Sequence, residues 1–286
     1  MSVEPITSRR NPLIQRLRAL HHAAGRQDQQ RLLLEGTHLL EEALRLGLEP
    51  EVLLATPHWL ERHADLLLSL PAATAWRPVS MDALEAIATT RHPDGVVAAL
   101  PWVLPPPPPP PPPLPPLRGG PSFVLLLDQV QDPGNMGTVL RTALAAGVGE
   151  IWLGGGADPW QPKVLRASSG ASLALGIARF EADELLERVR NARSAGTTVI
   201  ATVVRGGVPY WSHDWLSPTL LMLGNEGAGL SAELLALADT RLTLPHCAAV
   251  ESLNVAVAAA PLLLERERQR LGAGAPGVSA PPPHLV

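Results

Sequence analysis

Phe123-Val124-Leu125-Leu126-Leu127-Asp128, followed closely by Asp132-Pro133-Gly134-Asn135-Met136-Gly137-Thr138-Val139-Leu140-Arg141, decides the fold. The first run is short and apolar without alternation, as in a strand buried on both faces. Asp132-Pro133-Gly134 reads as a turn, Asn135 as an N-cap, and Met136 to Ala146 as a helix. The pattern then repeats. Glu150 to Leu153, Thr197 to Val204 and Thr219 to Leu223 are apolar runs, and Asp183 to Ala195 has the charge content of an exposed helix. Alternation of this kind predicts an α/β domain, with helices packed on a mostly parallel sheet. A last helix, Leu253 to Arg270, starts apolar and ends in alternating charges, with Pro261 expected to kink it.

Upstream of this domain stand nine consecutive prolines, Pro105 to Pro113, then Leu114, Pro115 and Pro116. Such a run has no N–H donors and adopts an extended polyproline II rod, so it cannot join a helix or a central strand. It reads as a semi-rigid linker over residues 101–121, the alternative being a ligand for a proline-recognising partner. Before it, Pro12 to Leu20 and Thr37 to Leu46 have helical spacing, and Glu51 to Ala55 and Gly95 to Leu100 read as strands. These predict a small α/β domain over residues 1–100. The second domain spans residues 122–271, and residues 272–286 read as a flexible tail.

Composition excludes several classes. The chain has 286 residues, 46% of them hydrophobic, enough for two buried cores. Its one cysteine, Cys247, excludes an internal disulfide and a cysteine-cluster metal site. No apolar run reaches the roughly 18 to 20 residues needed to span a bilayer, and Met1 to Asn11 is not followed by an apolar signal core. A cytoplasmic protein without a membrane anchor is expected. The nine histidines lack metal-ligand spacing and no Gly-x-Ser-x-Gly elbow occurs, so neither metal-dependent nor serine hydrolysis is supported. Net charge is −4, but Arg9, Arg10, Arg16, Arg18, Arg26 and Arg31 face only Glu4 and Asp28 in the first 31 residues. That basic arm is either an RNA contact or a solvated helix face.

Three stretches carry the chemistry. In the first, Arg141 lies among Val139, Leu140, Ala143 and Leu144, and burial there would require an anionic partner, in a structural ion pair or a site. Asn135 and Arg141 are six residues apart and could both face a crevice at the carboxyl ends of the strands. The second stretch, Leu223-Gly224-Asn225-Glu226-Gly227-Ala228-Gly229, has glycines that permit close approach of backbone to a ligand. It lacks the Lys-Ser/Thr of a phosphate loop and the spacing of the dinucleotide fingerprint. Glu226 at its tip would repel phosphate and suit a cation or hydroxyl, a plain turn being the alternative. The third, Glu251-Ser252-Leu253-Asn254, follows Leu242-Thr243-Leu244-Pro245 and opens the last helix, with Ser252 and Asn254 in its first turn. Helix capping explains it alone, and so would a ligand carboxylate on free N–H groups.

Together, in this order, the three stretches resemble the signature motifs of the SpoU branch of the knotted SPOUT methyltransferases. Ile6-Thr7-Ser8-Arg9-Arg10-Asn11-Pro12-Leu13-Ile14 and Leu34-Glu35-Gly36 resemble the L30e-like substrate-binding domain found in front of many such enzymes. The resemblance implies a deep trefoil knot, a homodimer with a shared site, and S-adenosyl-L-methionine as cofactor. By matching position, Gly224, Leu244 and Leu253 line the cofactor pocket, with Asn225, Pro245, Ser252 and Asn254 beside them. It implies in-line attack of a ribose 2′-hydroxyl of RNA on the sulfonium methyl, with Arg141 central to catalysis and Asn135 and Glu226 positioning the ribose and Arg141. Because a guanidinium stays protonated in proteins, Arg141 is better cast as binding the adjacent phosphate and the developing alkoxide, leaving the proton acceptor open. Arg9, Arg10, Arg16 and Arg18 are the RNA-binding candidates. Ribosomal RNA, 23S above all, is the favoured substrate; the alternatives are transfer RNA, a non-catalytic RNA-binding or ribosome-assembly factor, or methylation of a base or protein. One departure stands out: relatives often read Ile-Pro-Met-x-Gly where this chain has Leu244-Pro245-His246-Cys247-Ala248.

Overall fold

The computed structural model describes residues 4–102, 123–247 and 249–272. The proline run, the tail from residue 273 and Ala248 lie outside them. The chain forms two compact units. Within the described residues, the first comprises 4–102 with Asp132–Arg141 and Ala157–Leu175; the second comprises 123–131, 142–156 and the remainder from 176.

The first unit holds a four-stranded sheet of β1 (Arg31–Glu35), β2 (Val52–Ala55), β3 (Ala75–Pro78) and β4 (Val96–Pro101), in the order β1-β4-β2-β3. β4 runs antiparallel to β1 and β2, while β3 lies parallel to β2 at the edge. The pleat sends alternate residues to opposite faces. Leu32, Leu34, Val96, Ala98 and Leu100 join Leu39, Leu40 and Ala43 of the helix Thr37–Arg45 on one side. Leu33, Val97 and Ala99 join Ile14 and Leu17 of the helix Pro12–Ala19 on the other. That helix starts where Asn11 accepts the Leu13 N–H at 2.8 Å and Pro12 needs no partner. β1 and β3 go beyond the sequence expectation; both are short, and β3 exposes Ala75, Trp76 and Arg77.

The second unit holds seven strands: β5 (Phe123–Asp128), β6 (Glu150–Gly154), β7 (Gly176–Arg179), β8 (Thr198–Thr202), β9 (Val208–Pro209), β10 (Thr219–Leu223) and β11 (Thr240–Thr243). Their order is β7-β6-β5-β10-β8-β11-β9, and neighbouring strands pair in parallel. The central strands are buried along their whole length, as the continuous apolar runs require. Leu221 sits opposite Leu125 on one side and Ile200 on the other. Leu185 and Val189 of the helix Ala182–Ser194 cover one face, packing with Val124, Leu126, Val199, Leu220 and Met222. The chain fills β5, β6 and β7 outward, crosses to β8, then inserts β10 between β5 and β8. The loops that follow β8, β10 and β11 therefore leave from adjacent carboxyl ends, where open parallel sheets bind ligands.

Candidate active site

The first motif forms the start of the helix Pro133–Ala145. Asp132, not Asn135, is its cap: the Asp132 carboxylate accepts the Asn135 N–H at 2.8 Å and its carbonyl accepts the Met136 N–H at 2.9 Å. Pro133 takes the first helical position, where a missing N–H costs nothing. Asn135 lies inside the first turn. Met136, Val139, Leu140 and Ala143 are fully buried, whereas Arg141 is exposed, correcting the expectation that it is buried against an anion. At about 100° per residue Arg141 falls on the same side as Thr138 and Ala145, away from the apolar stripe. Of its apolar neighbours in sequence, Val139, Leu140 and Ala143 turn into the core, while Leu144 is exposed like Arg141. Gly137, by contrast, is locked in: a Cβ there would lie 2.8 Å from the carbonyl carbon of Ala167 and the nitrogen of Ser168.

The second motif leaves β10 and folds back on itself. Gly224 meets the backbone of Gly229 and Leu230 so closely that an added Cβ would sit 2.5 Å from the Gly229 carbonyl oxygen. Asn225 and Gly229 exchange backbone hydrogen bonds of 2.9 and 3.0 Å, and Gly229 holds a φ of +73°. The Asn225 side chain finishes the loop. Its oxygen accepts the N–H groups of Gly227 and Ala228 at 2.8 and 3.0 Å, and its amide donates to the Gln129 carbonyl at 2.9 Å. Gln129 itself sits at φ +58°, a left-handed conformation rarely adopted outside glycine and asparagine. The Asp128 carboxylate accepts the Ser231 N–H at 2.9 Å, lacing the ends of β5 and β10 together.

The third motif departs from the expected helix start. Asn254 is the cap, accepting the N–H groups of Ala256 and Val257 at 2.9 and 3.2 Å, and the helix runs Val255–Gly272. Ser252 and Leu253 therefore precede the helix rather than open it. They are left in the loop, free of helical geometry, where they can face a ligand.

These loops enclose a cavity of about 610 Å³. Of the expected cofactor residues, Gly224, Asn225, Leu244, Ser252 and Leu253 line it, and Glu226, assigned to the ribose, lines it as well. Glu226 is half-buried rather than at an exposed tip. Pro245 and Asn254 do not line it: Pro245 is exposed, and Asn254 spends its side-chain oxygen on the cap. Unforeseen contributors are Thr202 at the end of β8 and Val203 to Arg205 after it, together with Glu251, Val255, Ala258 and Leu262. His246, in the departing stretch, also lines the cavity, one ring nitrogen 2.7 Å from the Leu244 carbonyl oxygen. A second cavity, of about 860 Å³, shares Asn225 and Gly229 as its wall.

The basic arm is smaller than its sequence suggests. Arg26 is 1% exposed and pairs with Asp158, Arg31 pairs with Glu51 at 2.6 Å, and Arg9 pairs with Asp82 at 2.5 Å. Arg10, Arg16 and Arg18 are exposed.

The profile of the SpoU rRNA methylase family matches residues 122–264, half of the chain and all three motifs, and that of the MRM3-like substrate-binding domain matches residues 11–98. The chain belongs to the SpoU methylase family. An uncharacterized tRNA/rRNA methyltransferase of Synechocystis is 42% identical over 282 residues, covering 96% of this chain and 97% of that protein. The 23S rRNA (guanosine(2553)-2′-O)-methyltransferase RlmP of Bacillus subtilis is 33% identical, covering 91% and 98%. Among solved structures, an AdoMet-bound rRNA methyltransferase from Sinorhizobium meliloti superposes with a TM-score of 0.77 at 31% identity, covering 93% of this chain and 98% of the other. The SpoU methyltransferase AviRb of Streptomyces viridochromogenes, in complex with AdoMet, gives 0.76 at 28% identity, covering 92% and 100%. In this SpoU enzyme, then, motifs two and three meet at the cavity, and the motif-one helix is seated through Gly137.

Proposed function

We propose that this SpoU enzyme transfers a methyl group from S-adenosyl-L-methionine to a ribose 2′-hydroxyl of ribosomal RNA. The observation that carries the reading is the convergence of the loops after β8, β10 and β11 on one cavity of about 610 Å³, within the range of small-molecule cofactor sites. Its lining fits the cofactor: Leu223, Leu244, Leu253 and Val255 offer apolar surface to a nucleoside, and the Glu226 and Glu251 carboxylates suit a cationic sulfonium or ammonium. When bound, S-adenosyl-L-methionine supplies an electrophilic methyl. The protein's part is to hold and align. Gly224, Leu244 and Leu253 hold the cofactor through backbone and small surfaces, and Asn225 keeps the glycine loop closed on the cavity. Arg141, an exposed cation on the motif-one helix, binds the phosphate next to the target ribose and stabilises the negative charge that develops on the 2′-oxygen as it attacks the methyl. Asn135 and Glu226 orient the ribose.

Ribosomal RNA is favoured over transfer RNA because the similarity to RlmP runs through both halves of the chain. The front unit presents Arg10, Arg16 and Arg18 to the RNA backbone. A homodimer is supported by the last helix, where Val257, Leu264 and Leu271 recur every seven residues and are 61%, 46% and 55% exposed, an apolar stripe suited to a second copy. The insertion of β10 between β5 and β8 supports the trefoil threading implied for the family. No helix among the described residues is long and apolar enough to cross a membrane.

Arg141→Ala tests the reading. Loss of one such donor lowers kcat by about 10²- to 10³-fold, while calorimetry should find cofactor binding unchanged. Full activity in the variant would remove Arg141 from the mechanism.

A further inference from the structure

The two most deeply buried charged side chains among the described residues are Arg26 and Glu35, 1% and 4% exposed. Both belong to the front sheet and its helices, and both find their partners in the segment Ala157–Leu175, more than a hundred residues later. Arg26 donates to the Leu20 and His21 carbonyls at 2.8 and 2.9 Å and pairs with Asp158. The Glu35 carboxylate, at the end of β1, accepts five hydrogen bonds. Four come from the N–H and hydroxyl groups of Thr89 and Thr90; the fifth comes from Arg166, 2.7 Å away on the helix Pro162–Ala167. Burial pushes the Glu35 carboxyl up, but the Thr90 hydroxyl, the Thr89 donors and the Arg166 charge outweigh it and hold the group below its ordinary value.

Apolar packing accompanies the charges. Leu165 belongs to the core under the sheet, Trp160 and Leu173 pack against it, and Gly170, at φ +81°, leaves no room for a side chain beside Glu42. A hydrophobic seam would therefore have sufficed for adhesion, and buried ion pairs add little stability over apolar replacements of similar size. What a carboxylate with five directed donors does supply is a single allowed register.

That register reaches motif one. Ala167 and Ser168, next to Arg166, form the backbone seat against which Gly137 closes without space for a Cβ. Asn135 precedes Gly137 by two residues on that helix, and Arg141 follows it by four. We propose that the Glu35–Arg166 and Arg26–Asp158 pairs are positioning devices that pin the segment Ala157–Leu175 to the front sheet and, through the Gly137 seat, fix the helix carrying Asn135 and Arg141. Building on the roles given above to those two residues, the RNA-gripping module sets the geometry in which Arg141 meets the ribose. Misplacement of a reacting group by about 1 Å costs up to about 100-fold in rate, so a loosened seat acts on turnover before it acts on binding.

The test uses the full chain with Glu35→Gln, Arg166→Met, Arg166→Lys and Gly137→Ala, comparing steady-state kinetics with amide hydrogen exchange. Glu35→Gln and Arg166→Met should lower kcat at saturating RNA by about tenfold or more, with RNA KM and cofactor affinity changed by less than about threefold. Arg166→Lys keeps the charge and loses the planar guanidinium, so it should fall between them and the parent. Exchange should quicken across residues 133–141 and stay unchanged across Thr219–Leu223. Gly137→Ala, which leaves both ion pairs intact, should reproduce the loss in kcat, and it decides the matter if the charge variants do not fold. An unchanged kcat per folded molecule, a rise in RNA KM alone, or a fall in kcat without faster exchange at 133–141 would each overturn the proposal. The exchange readout needs no activity; a parent protein that transfers no methyl group would defeat the functional reading while leaving the mechanical coupling still to be decided by exchange.

Discussion

Replacing Gly224 by alanine adds one methyl group at the point where the glycine loop turns back on itself. The new Cβ would stand 2.5 Å from the Gly229 carbonyl oxygen and closer still to the Gly229 carbonyl carbon and the Leu230 nitrogen, against an ordinary separation of 3.4 to 4 Å. The obstructing atoms are backbone, held by the paired Asn225–Gly229 hydrogen bonds and by the Asp128 carboxylate on the Ser231 N–H. No side-chain rotation relieves the clash. The loop must retreat by roughly 1 Å, an overpacking strain of about 1–3 kcal/mol. Part of that strain can be released by breaking the Asn225–Gly229 pair, which opens the wall of the cavity. The expected result is a loss of cofactor affinity of about 10- to 100-fold, at about 1.4 kcal/mol per decade, with the thermal midpoint lowered by a few degrees. Isothermal titration of the purified dimer or monomer with S-adenosyl-L-methionine measures it. A dissociation constant within about twofold of the parent would refute the reasoning that this loop walls the cofactor site.

Three further outcomes follow from particular side chains. Asn225→Asp keeps the acceptor for Gly227 and Ala228 but turns the Gln129 tether into a carboxylate facing a carbonyl; losing about 1 kcal/mol there should weaken cofactor binding about fivefold in calorimetry, and undiminished affinity would show the tether to be idle. Glu35, whose folded value lies below its ordinary 4.5, contributes stability that is fully present above that value and is lost as pH falls through the lower folded one. The difference in melting temperature between parent and Glu35→Gln should therefore hold constant from neutral pH down to about pH 5 and shrink below it; a difference that grew on acidification would contradict the sign. Substituting alanine for Arg10, Arg16 and Arg18 together should raise RNA KM and flatten the dependence of log affinity on log salt by about one unit for each arginine that had bound a phosphate, and an unaltered salt slope would return the arm to a solvated face.

The parallel sheet is legible in the sequence because its central strands are buried on both faces, and such strands must read as unbroken apolar runs: Phe123–Asp128 and Thr219–Leu223 are found where expected. The short edge strands Gly176–Arg179 and Val208–Pro209 carry no such run, being partly exposed, and leave no signal of that kind. The glycine loop is legible because only close backbone approach explains Gly224. Strand order is not, since β10 enters between β5 and β8 through pairings that leave no local mark, and with it the part of Thr202 to Arg205 in the cavity stays hidden. Arg141 shows the opposite failure. Four apolar neighbours suggest burial, yet burial on a helix follows the angle around the axis and not adjacency along the chain. Arg26 misleads the other way: by position it belongs with a basic arm, although it is buried against Asp158, a partner 132 residues distant.

The most direct test of the central claim follows a labelled methyl group. Purified protein, cofactor labelled in its methyl and ribosomal RNA from cells lacking the protein should give labelled RNA, and alkaline hydrolysis should release the label in an alkali-resistant dinucleotide, since a methylated 2′-oxygen cannot attack the neighbouring phosphate. Label released in mononucleotides would mean a modified base and would contradict ribose methylation.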